Sequence, residues 1–257
     1  MDCKKALEEA NGNFDEAVDL LRKKGQKVAA KRADRDANEG LIVTAISDDR
    51  KVGVIAEVNS ETDFVARNEE FAAFADRVAK IILDELPDDL NSLNTTEFAA
   101  GKTVGHAVTE LTGKIGEKID VRRFAVLRTE GGQIVSYIHP GSRLGVLVDV
   151  SGNGQVEDAG LDVAMQVAAL NPVATHKEDV PQELKDKELE IARESAKAEG
   201  KPDHIIDRIA EGKLERYYKD NVLVEQPFVK DSSMTVKEML KQSNVDVRRY
   251  VRYALGE

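Results

Sequence analysis

One cysteine, Cys3, is all the chain offers, so no disulfide can close within it and the cross-linked scaffolds of small secreted domains are excluded. Tryptophan is absent and aromatic residues make up only 5% of the 257, so a large ring at a polar turn is conspicuous. No apolar run approaches the ~20 residues of a membrane-spanning helix. The opening Met1-Asp2-Cys3-Lys4-Lys5 lacks the apolar core of a signal peptide, and a cytoplasmic location is expected. Positive charge is also in deficit. The 37 Lys and Arg face 48 Asp and Glu, and a net charge of −11 argues against wrapping nucleic acid through the overall field. A local basic stretch remains at 22–35, with Arg22, Lys23, Lys24, Lys27, Lys31, Arg32 and Arg35. Asp34 interrupts it and no aromatics accompany it. It reads as a solvated linker; an RNA- or ribosome-associated surface is the alternative.

Catalytic patterns are missing as well. His106, His139, His176 and His204 show no ligand spacing, and Cys3 has no partner cysteine. Gly101-Lys102-Thr103 resembles the end of a phosphate-binding loop, but position 96, where that motif needs glycine, is Thr96. No cofactor, metal or catalytic residue is expected. The chain reads as a binding protein rather than an enzyme.

What is present is a duplication. Residues 40–58, GLIVTAISDDRKVGVIAEV, align without gaps with 132–150, GQIVSYIHPGSRLGVLVDV, at an offset of 92 and with seven of 19 positions identical. Roughly one identity is expected by chance from ordinary composition. Each copy has the alternation and central turn of a β-hairpin. Asp120-Val121-Arg122-Arg123-Phe124 recurs as Asp246-Val247-Arg248-Arg249-Tyr250, each after a segment opening Thr-Val. The expected fold class is α+β: two related subdomains, at 40–131 and 132–257, each a three-stranded antiparallel sheet with helices. Phe71, Phe74, Ala75, Val78 and Ile82 mark the apolar face of the helix after the first hairpin. The second subdomain carries an insertion at 180–220, read as an antiparallel, coiled-coil-like helical hairpin broken at Gly200-Lys201-Pro202. Ile206, Ile209, Leu214 and Tyr217 line one face of its second helix. Two short helices occupy 1–24, with Asn13 as N-cap of the second, and a linker follows at 25–39.

The copies share their strands and diverge directly after them. Val58 leads into Asn59-Ser60-Glu61-Thr62-Asp63-Phe64-Val65, whereas Val150 leads into Ser151-Gly152-Asn153-Gly154. Phe64 has two readings: a staple folded under a helix start, or an exposed tip carried by only one of the copies.

Glu57-Val58-Asn59-Ser60-Glu61-Thr62-Asp63-Phe64-Val65-Ala66-Arg67 resembles the core signature of the translation elongation factor Ts family, and Met1-Asp2-Cys3-Lys4-Lys5-Ala6-Leu7 resembles its N-terminal one. Lys114-Ile115-Gly116-Glu117, Gly200-Lys201-Pro202 and Gln226-Pro227-Phe228-Val229 match in order. The resemblance implies guanine nucleotide exchange on elongation factor Tu, in its GDP-bound and nucleotide-free states, with no membrane or direct nucleic-acid partner and with self-association left open. It implies that Thr62, Asp63, Phe64 and Val65 enter the Mg²⁺ and phosphate region of Tu. Leu144 and Gly145, read as a turn, and the helix at 162–170 with Gln166 are then further partner contacts. It also implies a ubiquitin-associated-type helical module at 1–24. The chain starts inside the family signature, so this module is expected to be incomplete. The family often has histidine where Gln166 stands; glutamine keeps the hydrogen bonding without a switchable charge.

Overall fold

The computed structural model describes residues 2–257; Met1, where the N-terminal signature begins, lies outside the described residues. The chain divides into two compact units. The first holds residues up to Arg128 together with Ile138–Gly145 and Tyr253–Glu257, and the second holds Thr129–Tyr137 and Val146–Arg252. The first unit therefore takes in the turn of the second hairpin and the last five residues, and ends its main stretch at Arg128 rather than at the expected 131.

In the first unit, α1 (Asp2–Glu9) and α2 (Phe14–Arg32) precede the hairpin of β1 (Glu39–Ile46) and β2 (Val52–Ser60). Then come α3 (Asp63–Ala66), α4 (Glu69–Glu85), α5 (Leu90–Thr95), a short ribbon of β3 (Glu97–Ala99) and β4 (Lys102–Thr103), α6 (Val104–Ile115) and β5 (Asp120–Arg128). The sheet runs β1-β2-β5 and is antiparallel throughout. Alternation sends Val54, Ala56 and Val58 of β2 into a core with Phe71, Phe74, Ala75, Val78 and Ile82 of α4, as the helical spacing predicts. The opposite face of β2 is covered too. Gly145 lies so close that a Cβ there would fall 2.7 Å from Ile42 Cγ2 and 3.3 Å from Ile55 Cδ1.

A charged residue also lies inside this sheet. Glu57 is 0% exposed and stands opposite Arg123 in the strand register. Its Oε2 accepts from Arg123 Nε at 2.7 Å, and its Oε1 accepts from Asn59 Nδ2 at 3.1 Å and pairs with Arg122 at 3.4 Å.

The stretch expected as a linker from residue 25 is helical as far as Arg32. Asn13 caps this helix by accepting from Glu16 N. Gly25 reads as a stop signal, yet it is buried where α2 crosses α6: a Cβ on Gly113 would fall 2.5 Å from the Gly25 Cα. The close approach requires glycine at Gly113 of α6, and at Gly25 packing overrides the residue's poor helix propensity.

In the second unit, β6 (Gln133–Ile138) and β7 (Leu144–Gly152) repeat the hairpin, and α7 (Val156–Leu170) follows. The helical insertion is α8 (Gln182–Ala198) and α9 (Asp203–Asn221); the ribbon of β8 (Pro227–Phe228) and β9 (Asp231–Thr235) leads to α10 (Val236–Gln242) and β10 (Val245–Ala254). The sheet order is β10-β7-β6. The helical pair buries small residues, Ala192, Ala196 and Ala210, together with Ile206. Tyr218 is the buried ring of α9, with the Lys177 amine 5.3 Å from its centroid, and Tyr217 is half-buried. Both Thr-Val segments begin a helix, with Thr103 and Thr235 accepting from the backbone three residues on. However, α6 has 12 residues and α10 only seven. The extra turns of α6 carry Gly113 and Lys114, which meet α2 and Glu70 of α4.

The two buried glycines give opposite expectations. Gly113→Ala should lower stability by about 1–3 kcal/mol through backbone overpacking. Gly25→Ala, whose Cβ would meet nothing nearer than 3.5 Å, should be neutral or stabilising by up to ~1 kcal/mol. Urea unfolding of the two variants checks the contrast.

Candidate functional site

The strand-to-helix turn after β2 is built from both ends. Thr62 is extended (φ −126, ψ 155) and caps α3, its hydroxyl oxygen accepting from Val65 N at 3.4 Å. Val65 and Ala66 turn inward and join the core of Val58 and Phe71. Phe64, between Asp63 and Val65, is left outward and is 81% exposed. The staple position under the helix start is thus filled by Val65, and Phe64 is free of it. Asp63 Oδ2 accepts from Arg67 Nη2 at 2.8 Å on the outer face of the same turn.

Further contacts come from the loop after α6. Glu117 Oε2 accepts from Thr62 N at 3.0 Å, and Oε1 accepts from the Thr62 hydroxyl at 2.9 Å. In return Glu61 Oε1 accepts from Lys118 N at 2.7 Å. Glu61 Oε2 also pairs with Arg32 at 2.9 Å, and the Lys118 amine donates to the carbonyls of Ala33 and Arg35 just past the end of α2. Glu57–Arg67 and Lys114–Glu117, far apart in sequence, therefore meet at one place, and part of the basic 22–35 stretch is engaged there.

A family model described as "Elongation factor TS" matches residues 61–257, from the edge of this turn to the end of the chain. The chain belongs to the elongation factor Ts family. Elongation factor Ts of Chlorobaculum tepidum is 46% identical over 267 residues, covering all of this chain and 93% of that protein. Its counterparts from Aquifex aeolicus (45% over 268 residues) and Alkalilimnicola ehrlichii (46% over 257) also cover the whole chain, and are themselves covered to 92% and 87%. Membership makes the chain a translation elongation factor. Among its described residues no helix is long and apolar enough to cross a membrane.

The other residues singled out through the elongation factor Ts resemblance are placed differently. Leu144 and Gly145 are the first residues of β7 rather than the turn, which runs from His139 to Arg143 and is closed by His139 N donating to Leu144 O at 2.9 Å. Gly145 is buried against Ile42, Ile138 and Ile55, a close-packing position and not an exposed contact. Gln166 is 0% exposed. Its Nε2 donates to Gln226 Oε1 and Pro227 O, each at 3.1 Å, and its Oε1 accepts from Val229 N at 2.8 Å. It fastens α7 to the segment before β9. The outward side chains of this region are Leu161, Leu170, Val173 and Val229, which hydropathy patterning does not single out because α7 is apolar on most of its circumference. Glu117 stands out in the sequence only as part of a matching motif; its glutamate-to-threonine bonding carries no sequence signal.

Gln166→Ala would leave the buried Gln226 Oε1, and the part-buried Pro227 carbonyl and Val229 N, without this partner. A loss of about 1–3 kcal/mol is expected, read as a lower midpoint in thermal or urea unfolding. Wild-type stability would mean that water replaces the amide.

Proposed function

We propose that this chain is a guanine nucleotide exchange factor for elongation factor Tu. It binds the GDP-bound partner and speeds GDP release by inserting the Thr62–Val65 turn into the Mg²⁺ and phosphate region. The observation that carries this is the outward Phe64 on a turn whose neighbours Thr62 and Val65 are fixed by hydrogen bonds and core packing. An exposed aromatic held on a rigid base loses little conformational freedom on binding.

Guanine nucleotides are held partly through Mg²⁺ bridging phosphate oxygens to protein ligands. A wedge that shifts those ligands weakens metal and nucleotide together, with no covalent step on either protein. By linkage, GDP must weaken the binding of the factor to the same degree as the factor weakens GDP. Distorting the partner needs anchoring elsewhere. The exposed apolar side chains in and after α7, Leu161, Leu170 and Val173, with Val229, are the proposed anchors, with Gln166 setting the position of α7 from within. The helices α1 and α2 are taken as the ubiquitin-associated-type module. Its basic stretch is a poor candidate for RNA: Arg32 is held by Glu61, and acidic residues follow it.

The test is release of a fluorescent GDP from Tu. Phe64→Ala is expected to slow stimulated release about tenfold or more, the scale of losing a central aromatic anchor. Stability should stay within about 0.5 kcal/mol, as for an exposed position. Unchanged release would remove the wedge role. Salt-sensitive RNA binding lost in Lys31→Ala would instead favour the basic-surface reading.

A further inference from the structure

We infer that Glu117 is a positioning residue for the exchange step: its carboxylate holds the Thr62–Val65 turn in the shape that presents Phe64. This rests on the exchange-factor reading above. Glu117 takes both donors of Thr62, the backbone N–H at Oε2 (3.0 Å) and the hydroxyl at Oε1 (2.9 Å). With its single proton given to Glu117, the hydroxyl must use a lone pair toward Val65 N, the first-turn donor of α3. One carboxylate thereby orients the cap, the cap orients the helical turn, and the turn sets which way Phe64 faces.

The internal duplication is a built-in control. At the offset of 92, Thr62 corresponds to Gly154; at the offset of 126 relating the last strands, Glu117 corresponds to Ser243 and Lys118 to Asn244. The same two loops meet in the second unit, but backbone against backbone. A Cβ on Gly154 would fall 1.8 Å from Ser243 O, and Asn153 N donates to Asn244 O at 3.2 Å. The fold closes this corner there without a carboxylate. The acidic clamp and the aromatic tip occur together in one unit and are absent together from the other, so the clamp serves the tip rather than closure of the fold.

The experiment measures fluorescent-GDP release from Tu against concentration of the full chain, for Glu117→Ala, Glu117→Gln, Phe64→Ala and the Glu117→Ala/Phe64→Ala pair. Glu117→Ala should lower the limiting rate roughly tenfold, the scale of a misplaced catalytic geometry, with little change in the half-saturating concentration. Glu117→Gln keeps an acceptor for Thr62 and should recover most of the rate. In the Phe64→Ala background Glu117→Ala should have no further effect, because the two act as one unit. A general structural loss would give additive effects and a raised half-saturating concentration, and would overturn the inference. So would a wild-type rate for Glu117→Ala beside a slow Phe64→Ala, which leaves the exchange reading standing. If Phe64→Ala is itself unimpaired, the wedge fails and the positioning role with it. Should Glu117→Ala not fold, Thr62→Ala against Thr62→Ser removes and restores the hydroxyl link, with the same outcomes deciding.

Discussion

A carboxylate cannot be taken out of water alone, and Glu57 is wholly out of water. Its two oxygens are satisfied by Arg123, Arg122 and Asn59, and that requirement pins the third strand to the second. A slip of one residue would turn Arg123 to the other face and strand the charge. Because β5 is pinned, the loop feeding it is pinned as well, and that loop delivers Glu117 to Thr62 and Lys118 to Glu61. The arginines extend the same hold to the end of the chain: Arg123 donates to Ala254 O, Arg122 to Glu257 O, and the Arg123 guanidinium lies 4.2 Å from the centre of the Tyr253 ring. The second unit repeats the device with one methylene fewer. Asp149, also buried, reaches Arg249 only at 3.8 Å, and its Oδ1 has no hydrogen-bond partner among the described residues.

The duplication explains which parts of the fold could be read in advance. Strands of six to nine residues rich in Val and Ile announce themselves, and the repeat places them twice. The ribbons β3–β4 and β8–β9 have no such signal, since strands of two to five residues carry no period. The tip was legible because a phenylalanine among Asn, Ser, Glu, Thr and Asp has few structural excuses. Its support was not: Thr62 and Glu117 are 55 residues apart, and a hydrogen bond between two common polar residues leaves no pattern. Gly25 misled for a related reason. In sequence a glycine after a basic run reads as a helix end, whereas here it lies buried inside a helix, against Gly113, and it is at Gly113 that a Cβ has no room. Gln166 is the converse, a polar residue whose surroundings supply every bond it needs, so its burial cannot be told from hydropathy.

The two units also differ in what is built onto the shared scaffold. The second keeps the shorter helix α10 and a glycine-rich corner. The first has five more helical residues in α6, and on them the contact with α2 and the ion pair of Lys114 with Glu70. The N-terminal helices, the end of α6 and the tip are therefore parts of one mechanical piece, joined through Gly113, Glu117 and Arg32.

The outward Phe64 has a consequence for the kinetics of encounter. A ring that had to leave its own core before binding would make the competent form a minority, and apparent affinity would fall by that fraction. On the proposed wedge role, the outward ring is already in the binding form, and association would be limited by diffusion and orientation rather than by an opening step. The standing liability is a sticky ring in water. One isolated aromatic is a small area, well short of an association patch, and the net charge of −11 adds like-charge repulsion between copies.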